Sequence, residues 1–273
     1  MNSDVVVVIG VGGIGLEIAH RLAPGAALLL ADFTEPTLDE AAAHLADAGH
    51  DVRAHRVDVG DAASVTELAE AAAARGPVRH LVHTAGLAPG AAPPEAILRV
   101  NLLGTALVLD AFEPVIAPGG AGVVVASLSG HLHPALSADE ERQLATTPTG
   151  DLLGVPCAAA DRHNMVTAYG LSKRANQLRV RAAARTWGRR GARLNSISPG
   201  VIASPMTRPG LVDPTSPMHA MIASTPAGRI GTPGDIAAAA AFLLGPDAAF
   251  VTGTDLLVDG GAHAATWLGS ELP

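Results

Sequence analysis

This chain contains one cysteine, one tyrosine and one lysine. Cys157 alone can neither close an internal disulfide nor supply a thiolate zinc cage. Long hydrophobic runs are also missing. The longest, Ile236–Leu244, spans nine residues, far below the ~20 that a spanning helix needs, so no membrane partner is expected. No basic stretch precedes the apolar segment Val5–Ile9, so a secretory signal is not expected and a cytoplasmic protein is. Positive charge is scarce: 18 lysines and arginines face 26 acidic residues, a net charge of −8. That balance lacks the footprint of a nucleic-acid binder. Linker-like segments and internal repeats are absent, so one domain over residues 1–273 is expected.

What the chain has is rhythm. Short β-branched or apolar runs (Val5–Ile9, Ala27–Ala31, Val52–Val57, His80–His83, Val123–Ala126, Arg193–Ile197, Asp255–Val258) alternate with alanine-rich helical segments. The segments are Ile14–Leu22, Thr37–Ala48, Ser64–Ala74, Leu102–Val115, Thr167–Trp187 and Asp235–Leu244. Such alternation predicts an α/β doubly wound parallel sheet of about seven strands, with helices on both faces. Thr232-Pro233-Gly234-Asp235 carries the pattern of a helix start: a capping threonine, a first-turn proline and an acid at the third position. Residues 131–164 interrupt the rhythm with three prolines and no clean period, apart from a candidate helix near Ser137–Thr146. An insertion of this kind is a lid, a binding loop or an interface element, or else a solvated excursion. The proline-broken segment 201–230, with Met206, Met218 and Met221, is expected to be a lid over an apolar substrate, or else a packed loop.

Two motifs carry chemistry. Directly after Val5–Ile9 comes Gly10-Val11-Gly12-Gly13-Ile14-Gly15, and a helix follows. In this Rossmann-type arrangement Gly10 makes the tight turn, Gly12 lets a pyrophosphate approach the backbone and Gly15 allows close helix packing. The exposed N–H groups at the helix start favour the phosphates. Asp32 ends the second strand candidate, 22 residues after Gly10. A carboxylate there accepts the ribose hydroxyls and repels a 2′-phosphate, and no arginine or lysine lies between Arg21 and Arg53. Both points predict NAD rather than NADP. Asp58 and Val59 close the third strand and would border the adenine. The second motif is Tyr169-x-x-x-Lys173, whose spacing puts both side chains on one helix face. An ammonium beside a phenol favours the phenolate, which suits proton exchange near neutrality.

The Gly10–Gly15 turn, His83-Thr84-Ala85-Gly86, Asn101, Ser127, Tyr169-x-x-x-Lys173, Ser198-Pro199-Gly200 and Val258-Asp259-Gly260-Gly261 occur in the order of the short-chain dehydrogenases/reductases. The chain resembles that family over nearly its whole length. The resemblance implies that Tyr169 exchanges a proton with the substrate oxygen while Lys173 lowers its pKa and holds the nicotinamide ribose. It implies that Ser127 hydrogen-bonds the substrate oxygen, with Ser129 as a competitor, and that Asn101 holds a proton-relay water. Ala85 and Gly86 would border the cofactor, and Ile202 and Ser204 would meet the nicotinamide amide. Within the family the chain looks like the bacterial 3α-hydroxysteroid dehydrogenase/carbonyl reductases. These carry a comparable insertion that obstructs a common helix-pair interface, which implies a homo-oligomer, a dimer before a tetramer.

Three departures stand out. The glycine turn is one residue shorter than the family's usual one between its first two glycines, His83-Thr84 replaces Asn-Asn, and Ser127 lies 42 residues before Tyr169. The expected activity is an NAD(H)-dependent interconversion of a secondary alcohol and a ketone, on a hydroxysteroid or another cyclic apolar substrate. The alternatives are a polyketide, quinone or small cyclic ketone as substrate, or a non-catalytic dinucleotide-binding regulator. His131-x-His133 with Asp139 or Cys157 lacks a regular third ligand spacing, so no metal is expected.

Overall fold

Five consecutive β-branched residues form β1 (Val5–Ile9), and every one of them is buried. Side chains alternate across a strand, and here both faces are covered. Val5, Val7 and Ile9 enter one apolar core, while Val6 and Val8 enter another. The computed structural model describes residues 3–267; the ends of the expected domain, residues 1–2 and 268–273, lie outside the described residues.

Around β1 stand β2 (Ala27–Asp32), β3 (Asp51–Arg56), β4 (Val78–His83), β5 (Ile116–Val125), β6 (Arg193–Pro199) and β7 (Asp255–Val258). They form one sheet in the order β3-β2-β1-β4-β5-β6-β7, and every neighbouring pair is parallel. Helices α1 (Gly13–Leu22) and α2 (Glu35–Asp47) cover one face. The other face carries α3 (Ala62–Arg75), α4 (Gly104–Phe112) and part of the long helix over Met165–Arg189. The expected doubly wound fold is thus present.

Two elements differ from expectation. β5 starts at Ile116 rather than Val123, because Pro118-Gly119-Gly120 sits in a bulge and not in a turn; the β4–β5 register slips between Val78 and His80. The helix expected over Leu102–Val115 begins instead at Pro94 with a short turn, Pro94–Ile97. It widens into a π segment, Leu98–Leu103, before continuing as α4. Pro94 occupies an early helical position, where its missing N–H costs nothing.

The insertion contains α5 (Ala138–Thr146), started by a capping box between Ser137 and Glu140, and three short 3₁₀ turns. Leu144, Leu152, Val155 and Cys157 from this region join Ile97, Leu102, Leu171 and Leu178 in a third apolar cluster. Next come α6 (Met165–Arg189), capped by Asn164, and α7 (Pro233–Leu244), capped by Thr232 and Asp235 as its sequence predicts. Segment 201–230 holds two short helices, Arg208–Val212 and Pro217–Ala223, with no buried residue in either. Among the described residues no helix is long and apolar enough to cross a membrane.

Candidate active site

A cavity of about 530 Å³ opens along the C-terminal ends of the strands, where strand order reverses between β1 and its two neighbours. Open α/β sheets bind ligands at this point.

One end of the cleft is the glycine turn, where Gly10, Gly12, Gly13, Ile14 and Gly15 all line the wall. Gly10 has φ +90°, and a Cβ there would sit 2.5 Å from the Ala85 nitrogen. A Cβ on Gly15 would lie 1.8 Å from the Gly10 carbonyl oxygen, so α1 starts as close to β1 as a backbone allows. A Cβ on Gly12 would meet nothing within 4 Å beyond its chain neighbours. The first N–H groups of α1 lack intrahelical partners, and they present an open cradle suited to phosphate oxygens. The shortened turn therefore keeps the geometry the motif requires.

Asp32 stands beside this cradle. Its carboxylate accepts hydrogen bonds from the Val11 N–H at 2.9 Å and the Thr34 N–H at 2.9 Å. It thus ties the glycine turn to the end of β2 and retains acceptor capacity toward the cleft. Asp58 and Val59 line the cleft farther out. Arg99, which the sequence reading did not single out, donates to Asp58 at 2.7 Å and also lines the wall. Phe33, likewise missed, lines the cleft with its ring 4.9 Å below the Arg56 guanidinium. Its signal was available: an aromatic placed directly after the acid that closes β2.

The end of β4 supplies Thr84, Ala85 and Gly86. Thr84 donates its hydroxyl to the Gly10 carbonyl at 2.6 Å, so threonine bonds the glycine turn where the family has asparagine. His83 is fully buried, with Nε2 3.1 Å from the Thr105 hydroxyl. Burial, and then the Lys173 charge, lower its pKa to about 3, so it is neutral. Asn101 sits in the π segment and does not line the cleft. Its side chain is engaged by the Leu87 backbone, accepting from the N–H at 2.7 Å and donating to the carbonyl at 2.9 Å. Both ends of the amide are thus tied to Leu87, with one N–H and one lone pair left over, and Oδ1 lies behind Gly86, where an added Cβ would be 3.1 Å from it.

Ser127, Tyr169 and Lys173 converge on the cleft floor. Ser127 caps the short helix Leu128–His131, and its Oγ accepts the Ser129 N–H at 3.1 Å. Ser129 itself does not line the cleft. Lys173 donates to the Val125 carbonyl at 3.0 Å, and its Nζ lies 5.6 Å from the Tyr169 ring centroid. Burial pushes the Tyr169 phenol up, opposed more weakly by the neighbouring Ser127 hydroxyl. Burial also pulls Lys173 down to about 8. Burial thus drives both groups toward their neutral forms and sets their proton affinities apart, a mark of an acid–base site.

The last wall comes from the end of β6 at Pro199 and the chain after it: Gly200, Ile202, Ser204, Pro205, Met206 and Thr207. Thr207 donates to the Ile202 carbonyl at 2.5 Å, and its oxygen accepts the Ser204 N–H at 3.0 Å, which fixes this turn. His131 bonds Asp255, and His133 Nδ1 bonds the Pro134 carbonyl.

Comparison with known proteins agrees with this geometry. Residues 4–138 match the short chain dehydrogenase family and residues 135–263 match the related enoyl-(acyl carrier protein) reductase family. The short-chain dehydrogenase/reductase bsc3 of Alternaria brassicicola is 41% identical over 269 residues, 97% of each chain. The chain belongs to the short-chain dehydrogenase/reductase family. It is also 35% identical over 194 residues to the 3-alpha-hydroxysteroid dehydrogenase/carbonyl reductase of Comamonas testosteroni, covering 67% of this chain and 72% of that one. Among solved structures, the 3-alpha-hydroxysteroid dehydrogenase of Pseudomonas sp. B-0831 in complex with NADH superposes with a TM-score of 0.79 at 27% identity, covering 98% of this chain and 100% of that one. A blue fluorescent protein from a metagenomic library, in complex with NADPH, gives 0.75 at 28% identity, covering 96% and 98%. As a short-chain dehydrogenase/reductase, the protein is an oxidoreductase of alcohol and carbonyl substrates that binds a nicotinamide dinucleotide.

Proposed function

We propose that this short-chain dehydrogenase/reductase uses NAD(H) to interconvert a secondary alcohol and a ketone on an apolar, cyclic substrate of hydroxysteroid type. The observation that carries the reading is the convergence of Ser127, Tyr169 and Lys173 on the floor of one cleft.

The residues fit a dinucleotide. The open cradle at Gly12 and the first turn of α1 suit the pyrophosphate, and Asp32 suits the adenosine ribose hydroxyls. Ala85, Gly86, Ile202 and Ser204 border the nicotinamide half, and Lys173 holds its ribose. When bound, the dinucleotide supplies the hydride acceptor or donor. Ser127 orients the substrate oxygen by a hydrogen bond. In oxidation Tyr169, as phenolate, accepts the hydroxyl proton; in reduction it returns a proton to the oxygen. Burial raises the phenol, so the Lys173 charge is needed at the moment of transfer to favour the phenolate. Donors fixed beforehand around the reacting oxygen stabilise its developing charge.

The NAD preference rests on Asp32 and on the engagement of Arg56, its register partner on β3, which lies over Phe33 with Glu35 3.7 Å from its Nε. An apolar substrate is favoured by Leu87 and Met206 in the wall and by the packing of Tyr169, Leu87 and Leu136 against the insertion cluster. In this reading residues 1–273 form one domain, with the insertion at 131–164 packed behind Leu87 and Tyr169 and 201–230 as a lid. The protein works as a cytoplasmic homo-oligomer, with a dimer favoured. Tyr169→Phe is expected to lower turnover by about 10²–10⁴-fold while NADH fluorescence still reports binding. Full turnover in that variant, across a panel of steroid and small cyclic alcohols, would overturn the reading.

A further inference from the structure

Ser127 is carried on a tight turn that side chains outside the cleft hold from two directions. On one side His131, which ends the Leu128–His131 helix, places Nε2 2.7 Å from an Asp255 carboxylate oxygen. Both side chains are largely buried, at 21% and 11% exposure. The other Asp255 oxygen accepts the hydroxyls of Ser196 at 2.5 Å and Ser198 at 3.0 Å, both on β6. On the other side Gln177, on α6, donates to the Ser198 hydroxyl at 2.9 Å and reaches the Ser127 carbonyl at 3.5 Å. The bonds close a ring: Ser127, its turn, His131, Asp255, Ser198, Gln177, and back to Ser127. Gly130 lets that ring close. A Cβ there would lie 2.8 Å from the Arg174 nitrogen and 2.9 Å from Gln177 Nε2, so the turn lies flat on α6 only without a side chain.

Neither His131, Asp255 nor Gln177 lines the cleft. The chain nonetheless holds a carboxylate with three donors at the edge strand β7 and joins it to the turn that bears Ser127. We infer that His131, Asp255 and Gln177 are positioning residues that fix the Ser127 hydroxyl for the substrate oxygen. The inference rests on the role proposed above for Ser127.

The test measures kcat, KM and NADH affinity for His131→Phe and Gln177→Met, each in the parent and in a Ser127→Ala background. His131→Phe keeps a ring to pack against His263, 5.4 Å away, while removing the hydrogen bond; Gln177→Met keeps the length while removing the donor. The expected result is a kcat loss of about ten- to a hundredfold in the parent background, with unchanged NADH affinity and no further loss once Ser127 is alanine. His131→Gln, which restores a donor, is expected to recover most of the activity. Equal fold losses in both backgrounds, or no loss in either, overturn the inference. Should His131→Phe fail to fold, Gln177→Met alone decides. Ser127→Ala with parental kcat would instead overturn the role of Ser127 itself, and the two failures are distinguishable in one data set.

Discussion

Burial takes the Lys173 ammonium from an ordinary value of 10.5 down to about 8, and its hydrogen bond to Val125 does not offset that. Between these two pH values the unfolded chain binds more protons than the folded one, so stability rises with pH across the window. Below pH 8 the whole penalty remains, roughly 3 kcal/mol for a shift of that size. Losing the bond to Val125 would return about 1 kcal/mol. Lys173→Met is therefore expected to melt a few degrees above the parent at pH 7, with the gain fading as pH climbs from 8 to 10.5. The same variant should lose turnover and bind dinucleotide poorly. Thermal melts over that pH series check the sign; a variant melting lower at pH 7 would show that the buried charge carries no such cost. The Tyr169–Lys173 pair was legible because the chain has one of each residue, four apart, behind a dinucleotide turn. The direction of the phenol's shift was not legible, because desolvation depends on what the fold stacks around Tyr169.

At the scale of elements, two arginines hold the insertion to α6, and their burial separates them. Arg179 is 8% exposed and donates to the carbonyls of Leu144 and Thr147 and to the Thr149 hydroxyl. Thr149 in turn donates to Asp110 at 2.5 Å. Arg174 pairs with Glu141 in a half-open setting. Removing the Arg179 cation leaves the Leu144 and Thr147 carbonyls and the Thr149 oxygen without this donor, at about 1–3 kcal/mol for a buried group left unpaired, whereas a surface pair contributes about 0–1 kcal/mol. Arg179→Met should thus lower the urea midpoint sharply and expose residues 138–160 to limited proteolysis. Arg174→Ala should do neither, and similar losses from both would refute the ranking. The capped helix in this region was visible from Ser137 onward, and the start of α7 from Thr232 to Asp235. The π segment before α4 was not. Its signal lies in long-range bonds, Asn101 to Leu87 and Thr105 to His83, that no local periodicity contains. The bulge in β5 was hidden in the same way, because proline and two glycines read locally as a turn.

At the scale of the whole molecule, the strand order places the cleft between two halves of the sheet. β1 and β2 bring the glycine turn and Asp32, while β4, β5, α6 and the chain after β6 bring the rest. A ligand bound there ties the halves together, so binding should read out as global stability. At a hundred times its Kd, a dinucleotide adds about 2.7 kcal/mol, which for a chain of this size raises Tm by roughly 5–10 °C. NADH should produce that shift in the parent and in Tyr169→Phe. NADPH at the same concentration should produce much less, because its 2′-phosphate would meet the Asp32 carboxylate. Asp32→Ser should narrow the gap between the two cofactors, and it should also lower the ligand-free Tm, because the Val11 N–H loses its partner. Differential scanning fluorimetry with both cofactors checks each statement. Equal shifts from NADH and NADPH in the parent would remove the NAD assignment, while leaving the fold and the floor of the cleft as described.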